Sequence, residues 1–391
     1  MPQPTPGLKI ASLRGVPVYI GRTWPIIAVI IVAIFGPQVA SLHPEWGFGA
    51  YVVGIGYALL LLLSVLVHEA AHALVAQACH YRVTHIVADL MGGHTSYDTP
   101  DATPGRSALV AAVGPLSNAV LAVIGFLGHR ASDGDGAVPL LLGAFAWSNA
   151  FVAAFNALPG LPLDGGFLVD ALVWKLTGNR ATGMKAAGWC GRIVAIGVAA
   201  WAVLGFVRAP GSLWSLVWLL FIASFLWRGA SVAVNVGINR EFLGGIRVAD
   251  VIRPAVAVPA STPVAALPET GDTIVLIDAD GAASALVAPG AHVRVPVDQR
   301  PHVPASALGE ALLPHAGAVI SSPQDDVMAI LPAFEGDPTP GVVTVSMPVE
   351  GQPAAADDPV ALRLVGIATL ADLERAMQRH AHESGTMPRG A

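Results

Sequence analysis

Val67-His68-Glu69-Ala70-Ala71-His72-Ala73 lies inside an apolar run from Ala50 to Ala78, with no other histidine, acid or base between Glu45 and His80. Three such groups in one apolar helix are costly in lipid, and a purely structural role would not offset their insertion. On an α-helix His68 and His72 stand one turn apart on the same face. Two imidazoles so placed can bind one tetrahedral Zn²⁺, and Glu69 beside them can take a proton from an attacking water. The spacing is the HExxH signature of metallopeptidases. Three polar residues packed between helices without metal is the plainer alternative.

A catalytic zinc usually has three protein ligands and one open position, so another ligand must come from elsewhere. Asp164 is the best candidate. It ends the stretch Asn156-Ala157-Leu158-Pro159-Gly160-Leu161-Pro162-Leu163-Asp164, in which Pro159 and Pro162 must break a helix. Irregular backbone at membrane depth is tolerated only when buried in protein or lining a wet cavity, and both suit a hydrolase. A turn or N-cap carboxylate opening a helix through Trp174 is the other role this sequence supports.

Outward from these stretches, composition sets the class. The chain has 391 residues, of which 54% are hydrophobic and only 12% charged, more apolar surface than a soluble core can hide. Six spans are expected, at about 24–42, 50–78, 107–127, 138–158, 193–207 and 213–234, the fifth of them short. With the N-terminus in the cytosol, Lys9, Arg22, Arg82, Arg106, Lys175 and Arg240 fall inside, whereas the outer loops hold only Arg130 and Arg208. This bias places both termini on the cytosolic side. The N-terminal stretch has Lys9, Arg14 and Arg22 but no apolar core with a small-residue cleavage site, so the first span is expected to stay in the mature protein. Cys79 and Cys190 fit no disulfide or metal pattern and are expected to be reduced. A net charge of −6 with no Lys/Arg cluster gives no reason for a nucleic-acid partner.

HEAAH followed by Asn156-Ala157-Leu158-Pro159-Gly160-Leu161-Pro162-Leu163-Asp164-Gly165-Gly166 resembles the site-2 protease family of membrane-embedded zinc metalloproteases. Gly114-Pro115-Leu116-Ser117-Asn118 is similar to the family's G-P-x-x-N helix, and Leu90-Met91-Gly92-Gly93-His94 to its Gly-Gly hairpin. The resemblance implies that His68, His72 and Asp164 hold one zinc per chain and that Glu69 is the general base. It also implies that Asn156 hydrogen-bonds the substrate or the developing oxyanion, and that the strand edge at Gly92 and Gly93 receives an unwound substrate. His94 has two readings, a gate or extra ligand, and a solvated loop histidine. Asn118 is expected to bond between helices.

Apolar runs stop at about Val236, and domains are expected at 1–243 and 244–391. From Ile246 onward short β-branched runs alternate with Asp/Gly and Pro turns, and Leu370 to His380 reads as helix, giving a mixed α/β domain. Ile246 to Ile252, Val256 to Val258 and Ile274 to Asp278 resemble the first half of a cystathionine β-synthase (CBS) domain pair. Val365-Gly366-Ile367-Ala368-Thr369-Leu370-Ala371-Asp372 is similar to that family's final strand and helix start. This implies an adenine nucleotide at Thr369 and Asp372, with a nucleotide-free packing or homodimerisation module as the alternative. Residues 352–359 form an Ala/Asp/Pro loop.

The expected protein is therefore a multi-pass α-helical membrane protein of about six spans with a C-terminal cytosolic α/β, CBS-pair-like domain. Its expected activity is intramembrane endopeptidase, acting on membrane proteins with a transmembrane segment. A CBS-regulated transporter or channel using the His/Glu cluster as an ion path is the rival class. At 1.5 Å per residue His72 stands about 9 Å from the cytosolic end of its span. The cut is thus expected in the cytosolic third of the bilayer, and the family resemblance implies as substrate a membrane-held regulator or anti-sigma factor in a prokaryotic cell membrane.

Overall fold

The computed structural model describes residues 7–89, 92–98, 102–132, 134–209, 213–279, 281–335, 338–349 and 362–385. Leu90, Met91, the side chain of His94 and the 352–359 loop lie outside the described residues. The chain divides into two compact units, meeting in sequence at Ile238 and Asn239.

The first unit opens with a hairpin, β1 (Leu8–Leu13) and β2 (Val16–Ile20). Arg14 and Gly15 both take positive φ in its two-residue turn, which matches the right-handed twist of the flanking strands. Helices α1 (Trp24–Leu42) and α2 (Gly49–Ala78) follow, then β3 (Arg82–Asp89) and β4 (Gly92–Asp98). The four strands form one sheet in the order β1-β2-β3-β4, with β2 and β3 parallel and the outer pairs antiparallel. Next come α3 (Pro104–Ala131), α4 (Ala137–Asn156), α5 (Asp164–Thr177), α6 (Arg180–Arg208) and α7 (Leu213–Leu243).

Among the described residues six helices are long and apolar enough to cross a membrane: α1, α2, α3, α4, α6 and α7. Their outer faces are apolar, with Leu116, Val120, Trp147 and Phe151 all exposed, as lipid contact requires. The fifth span is longer than the expected 193–207. Its helix begins at Arg180, where the Asn179 side chain accepts hydrogen bonds from the amides of Ala181 and Thr182. Arg180, Lys185 and Arg192 interrupt the hydropathy there but not the helix, and the Arg192 guanidinium lies over the rings of Trp189 and Trp227.

The Pro-rich break falls between α4 and α5. Its backbone is satisfied inside the protein, since Leu161 N–H donates to the Ala187 carbonyl of α6 at 3.1 Å and Leu163 N–H to that of Gly160. A side chain at Gly160 would collide with the backbone of Gly191, so glycine is what lets the broken segment lie against α6. Asp164 is thereby delivered at the first turn of α5.

The second unit holds two sheets. β5 (Ala255–Pro259), β6 (Thr273–Ile277), β7 (Ala283–Val287) and β8 (Glu310–Ala311) form one in sequence order, around Val258, Leu276, Val287 and Ala305. β9 (Gly317–Val319), β10 (Val342–Pro348) and β11 (Leu362–Thr369) form the other in the order β11-β10-β9, with α8 (Leu370–Ser384) following β11. Ile246, Val248, Val327, Val343 and Val345 fill its core. A C-terminal α/β region is thus present.

Candidate metal centre

His68, Glu69 and His72 are all buried on α2. The two imidazoles face each other with Nε2 atoms 3.1 Å apart. Asp164 closes the cluster, placing Oδ2 3.2 Å from His68 Nε2 and Oδ1 3.5 Å from His72 Nε2. These ligand atoms all lie within 4.8 Å of one another.

The remaining ring nitrogens decide what these contacts are. His72 Nδ1 is 2.7 Å from the Val110 carbonyl oxygen of α3, which can only accept, so Nδ1 carries the proton. His68 Nδ1 is 2.5 Å from Asn118 Oδ1, likewise an acceptor. With both protons on Nδ1, both Nε2 atoms present bare lone pairs. They point at each other and at a carboxylate whose buried Oδ2 has no hydrogen-bond donor among the described residues. Three lone-pair donors converging at 3.1–3.5 Å repel one another unless a cation lies between them. Two ligand atoms on one tetrahedral zinc, each at about 2.0 Å, stand about 3.3 Å apart, so the spacing fits zinc as well as the chemistry does. A histidine whose other nitrogen donates to a carbonyl or amide oxygen is also the usual form of a metal-ligating histidine.

Helix α3 comes close enough to hold both rings because residue 114 is glycine. A Cβ there would run into His72 Nε2 and the Cε1 and Nε2 atoms of His68. Glu69 meets the sheet through Thr95 of β4, whose hydroxyl lies 2.9 Å from Glu69 Oε2 and 3.1 Å from the Glu69 carbonyl oxygen, with one proton to donate between them.

Residues 56–138 and 129–196, which carry the histidines, Glu69, Gly114 and Asp164, match peptidase family M50. This stretch of the membrane unit is similar to that peptidase family. The chain is 30% identical over 254 residues to the candidate zinc metalloprotease sll0528 of Synechocystis sp., across 63% of this chain and 65% of that one. It is 33% identical over 237 residues to the candidate zinc metalloprotease Rip3 of Mycobacterium tuberculosis, across 58% and 59% respectively. The chain thus spans less than two thirds of the length of either relative. Of solved structures, the site-2 protease from Methanocaldococcus jannaschii aligns at 19% identity and a TM-score of 0.41, over 58% of this chain and 94% of that one.

Within the membrane unit the other expected residues are placed as follows. Asn156 is the last residue of α4, half-buried and with no side-chain hydrogen bond among the described residues. Gly92 and Gly93 open β4, an edge strand of its sheet, opposite Asp89 and Ala88. Thr95, Ser64 and Asn149 were not singled out from the sequence; Ser64 stands one helical turn before His68, and Asn149 is an uncharged amide in the middle of an apolar span.

In the second unit Thr369 and Asp372 form a capping box at the start of α8. Asp372 is buried, accepts from the Thr369 hydroxyl and amide, and pairs with Arg253 at 2.9 Å and with Arg375. Burial alone would raise its pKa. The Thr369 hydrogen bonds and the two guanidinium charges outweigh that and hold it below the ordinary aspartate value.

Proposed function

We propose that this chain is a zinc-dependent intramembrane endopeptidase, hydrolysing peptide bonds in or beside the transmembrane segments of other membrane proteins. The observation that carries this reading is the convergence of three lone-pair donors, from His68, His72 and Asp164, beside a buried Glu69 within an apolar helix. Zinc, when bound, supplies a Lewis acid that polarises the scissile carbonyl and lets water act as nucleophile near neutral pH. Glu69 accepts the proton given up by the attacking water and returns it to the leaving amine. Thr95 holds that carboxylate in place through the 2.9 Å hydrogen bond. Asn156, with its amide uncommitted, donates to the carbonyl oxygen as charge develops, a role in which one donor is worth roughly 3–4 kcal/mol.

A helical substrate must unwind before its amides can be attacked, and the open edge of β4 at Gly92 and Gly93 offers replacement hydrogen bonds. The Lys/Arg bias supports a cell-membrane protein with both termini in the cytosol and the site towards the inner face. Such a site suits a membrane-held regulator or anti-sigma factor whose soluble part is released inward. The second unit is read as a CBS-like regulatory or dimerisation module. An adenine nucleotide at Thr369 and Asp372 would compete with Arg253 and Arg375 for the Asp372 carboxylate.

The test is reconstitution of the full chain with a single-span substrate. Purified protein is expected to hold about one zinc per chain, Glu69→Gln to keep it and lose cleavage, and the new terminus to map to the cytosolic third of the substrate span. Zinc-free, inactive wild-type protein, or cleavage persisting in Glu69→Gln, would overturn the reading.

A further inference from the structure

Behind the metal centre lies a polar network that spans three helices and is sealed from solvent and lipid. Ser64 and His68 come from α2, Asn118 from α3 and Asn149 from α4. Asn149 is 0% exposed and Asn118 1%. Buried amides like these are costly unless fully bonded, and an amide side chain can be turned either way, so the bonding pattern must choose one orientation.

The choice begins at a backbone carbonyl. Asn149 Nδ2 lies 2.9 Å from the Phe145 oxygen, which can only accept, and the flipped amide would set two oxygens against each other. Asn149 Oδ1 therefore faces the other way, where it accepts from Ser64 Oγ at 2.5 Å and from Asn118 Nδ2 at 2.8 Å. Asn118 Nδ2 spends its second proton on Ser64 Oγ at 3.0 Å. Both amide protons are then used, which leaves Asn118 Oδ1 as the only atom that can face His68 Nδ1. An oxygen there demands a proton on Nδ1. A proton on Nδ1 of the neutral ring leaves Nε2 bare and pointed into the metal centre.

We infer that Asn149 is a positioning residue for the metal centre: pinned by the Phe145 carbonyl, it fixes the orientation of Asn118 and through it the tautomer of His68. The inference rests on the metallopeptidase reading only for its purpose, since the tautomer itself is a property of the polypeptide. His72 supplies an internal control. Its Nδ1 proton is held by the Val110 carbonyl, which cannot flip and lies outside the network.

The experiment uses the full chain in detergent, labelled with ¹⁵N-histidine and stripped of metal by a chelator, with imidazole nitrogen shifts assigned by His68 and His72 substitution. Wild type is expected to show both rings protonated on Nδ1. In Asn149→Leu, Asn118 is free to turn, so His68 is expected to become a mixture of tautomers while His72 stays unchanged. Zinc affinity, measured by chelator competition, is expected to fall about 10–100-fold. Asn118→Asp keeps an acceptor opposite His68 Nδ1, and is expected to retain the Nδ1–H tautomer and to bind zinc more tightly than Asn118→Leu. A wild-type His68 protonated on Nε2 would overturn the inference, as would an Asn149→Leu protein with the His68 tautomer and zinc affinity both unchanged. If wild type binds no zinc, the proposed function fails while the nitrogen shifts still decide the relay. A folding defect in Asn149→Leu leaves the wild-type spectrum and the Asn118 pair as the deciding measurements.

Discussion

Gly114→Ala adds one methyl group at the point where α3 meets the two histidines. The new Cβ would stand 2.6 Å from His68 Cε1 and 2.7 Å from His68 Nε2, and it would also overlap His72 Nε2. Ordinary contact begins at 3.4 Å. The His68 ring must therefore retreat by about 0.7–0.8 Å and the His72 ring further, several times the ~0.2 Å within which metal–ligand distances are held. Both histidines are anchored through Nδ1 and cannot swing aside without breaking those bonds. Zinc affinity is expected to fall on the order of 100-fold or more, beyond the usual effect of changing a residue behind the ligands. Global stability should change far less. Overpacking costs about 1–3 kcal/mol, and exchanging a helical glycine for alanine offsets about 1 kcal/mol of that. Chelator competition on the detergent-solubilised chain measures the first quantity, and thermal melting of the metal-free protein the second. Zinc binding indistinguishable from wild type would refute the close-approach reasoning.

Asp164→Ala is expected to lower zinc occupancy, and undiminished binding would remove that carboxylate from the ligand set. Thr95→Val deletes the hydroxyl bonded to Glu69 and is expected to slow cleavage roughly tenfold, from the loss of about 1.5 kcal/mol of hydrogen bonding to a charged group, with zinc content unchanged; an unaltered rate would exclude a role in holding the base. Asp372 has a folded-state pKa below its unfolded value, so its contribution to stability is present above the unfolded aspartate range near 3.8 and is lost as pH falls through the lower folded value. Melting between pH 5 and pH 2 should show that loss in wild type and a flatter profile in Asp372→Asn; matching profiles would mean that Asp372 does not contribute.

The parts of this site that were legible in the sequence are those whose chemistry conflicts with their surroundings. His68, Glu69 and His72 are out of place in an apolar span, and Pro159 and Pro162 cannot continue a helix, so each declared a purpose. Asn118 was legible as a bond between helices, and it bonds to α2 and α4; Asn149 and Ser64 were not, because an uncharged polar residue in a span carries no sign of which partner it meets. Thr95 was hidden for another reason: its partner is set by how β3 and β4 fold back on α2, which no local pattern encodes. The hairpin of β1 and β2 is short, and only its Arg14-Gly15 turn marks it. The first turns of α6 were missed because a hydropathy window rejects Arg180, Lys185 and Arg192, although helix geometry and tryptophan rings accommodate them. The capping box at Thr369 and Asp372 shows how one short pattern can serve a helix start as readily as a ligand.

The parallel pairing of β2 with β3 sets Val18 beside Ile86, with both α1 and α2 between them in the chain. A ladder of this kind has a long loop to close before any of its bonds can form. During synthesis β2 is made first and must wait, paired on one edge only with β1, until two complete spans have been inserted and the third stretch of polar chain has emerged on the same side. Until then β3 and β4 have no inner neighbour on which to register, and Thr95 has no fixed station from which to hold Glu69. Order of assembly thus matters: a nascent chain already carries both histidines, yet the strand that brings Thr95 to Glu69 is fixed only after the first two helices are home.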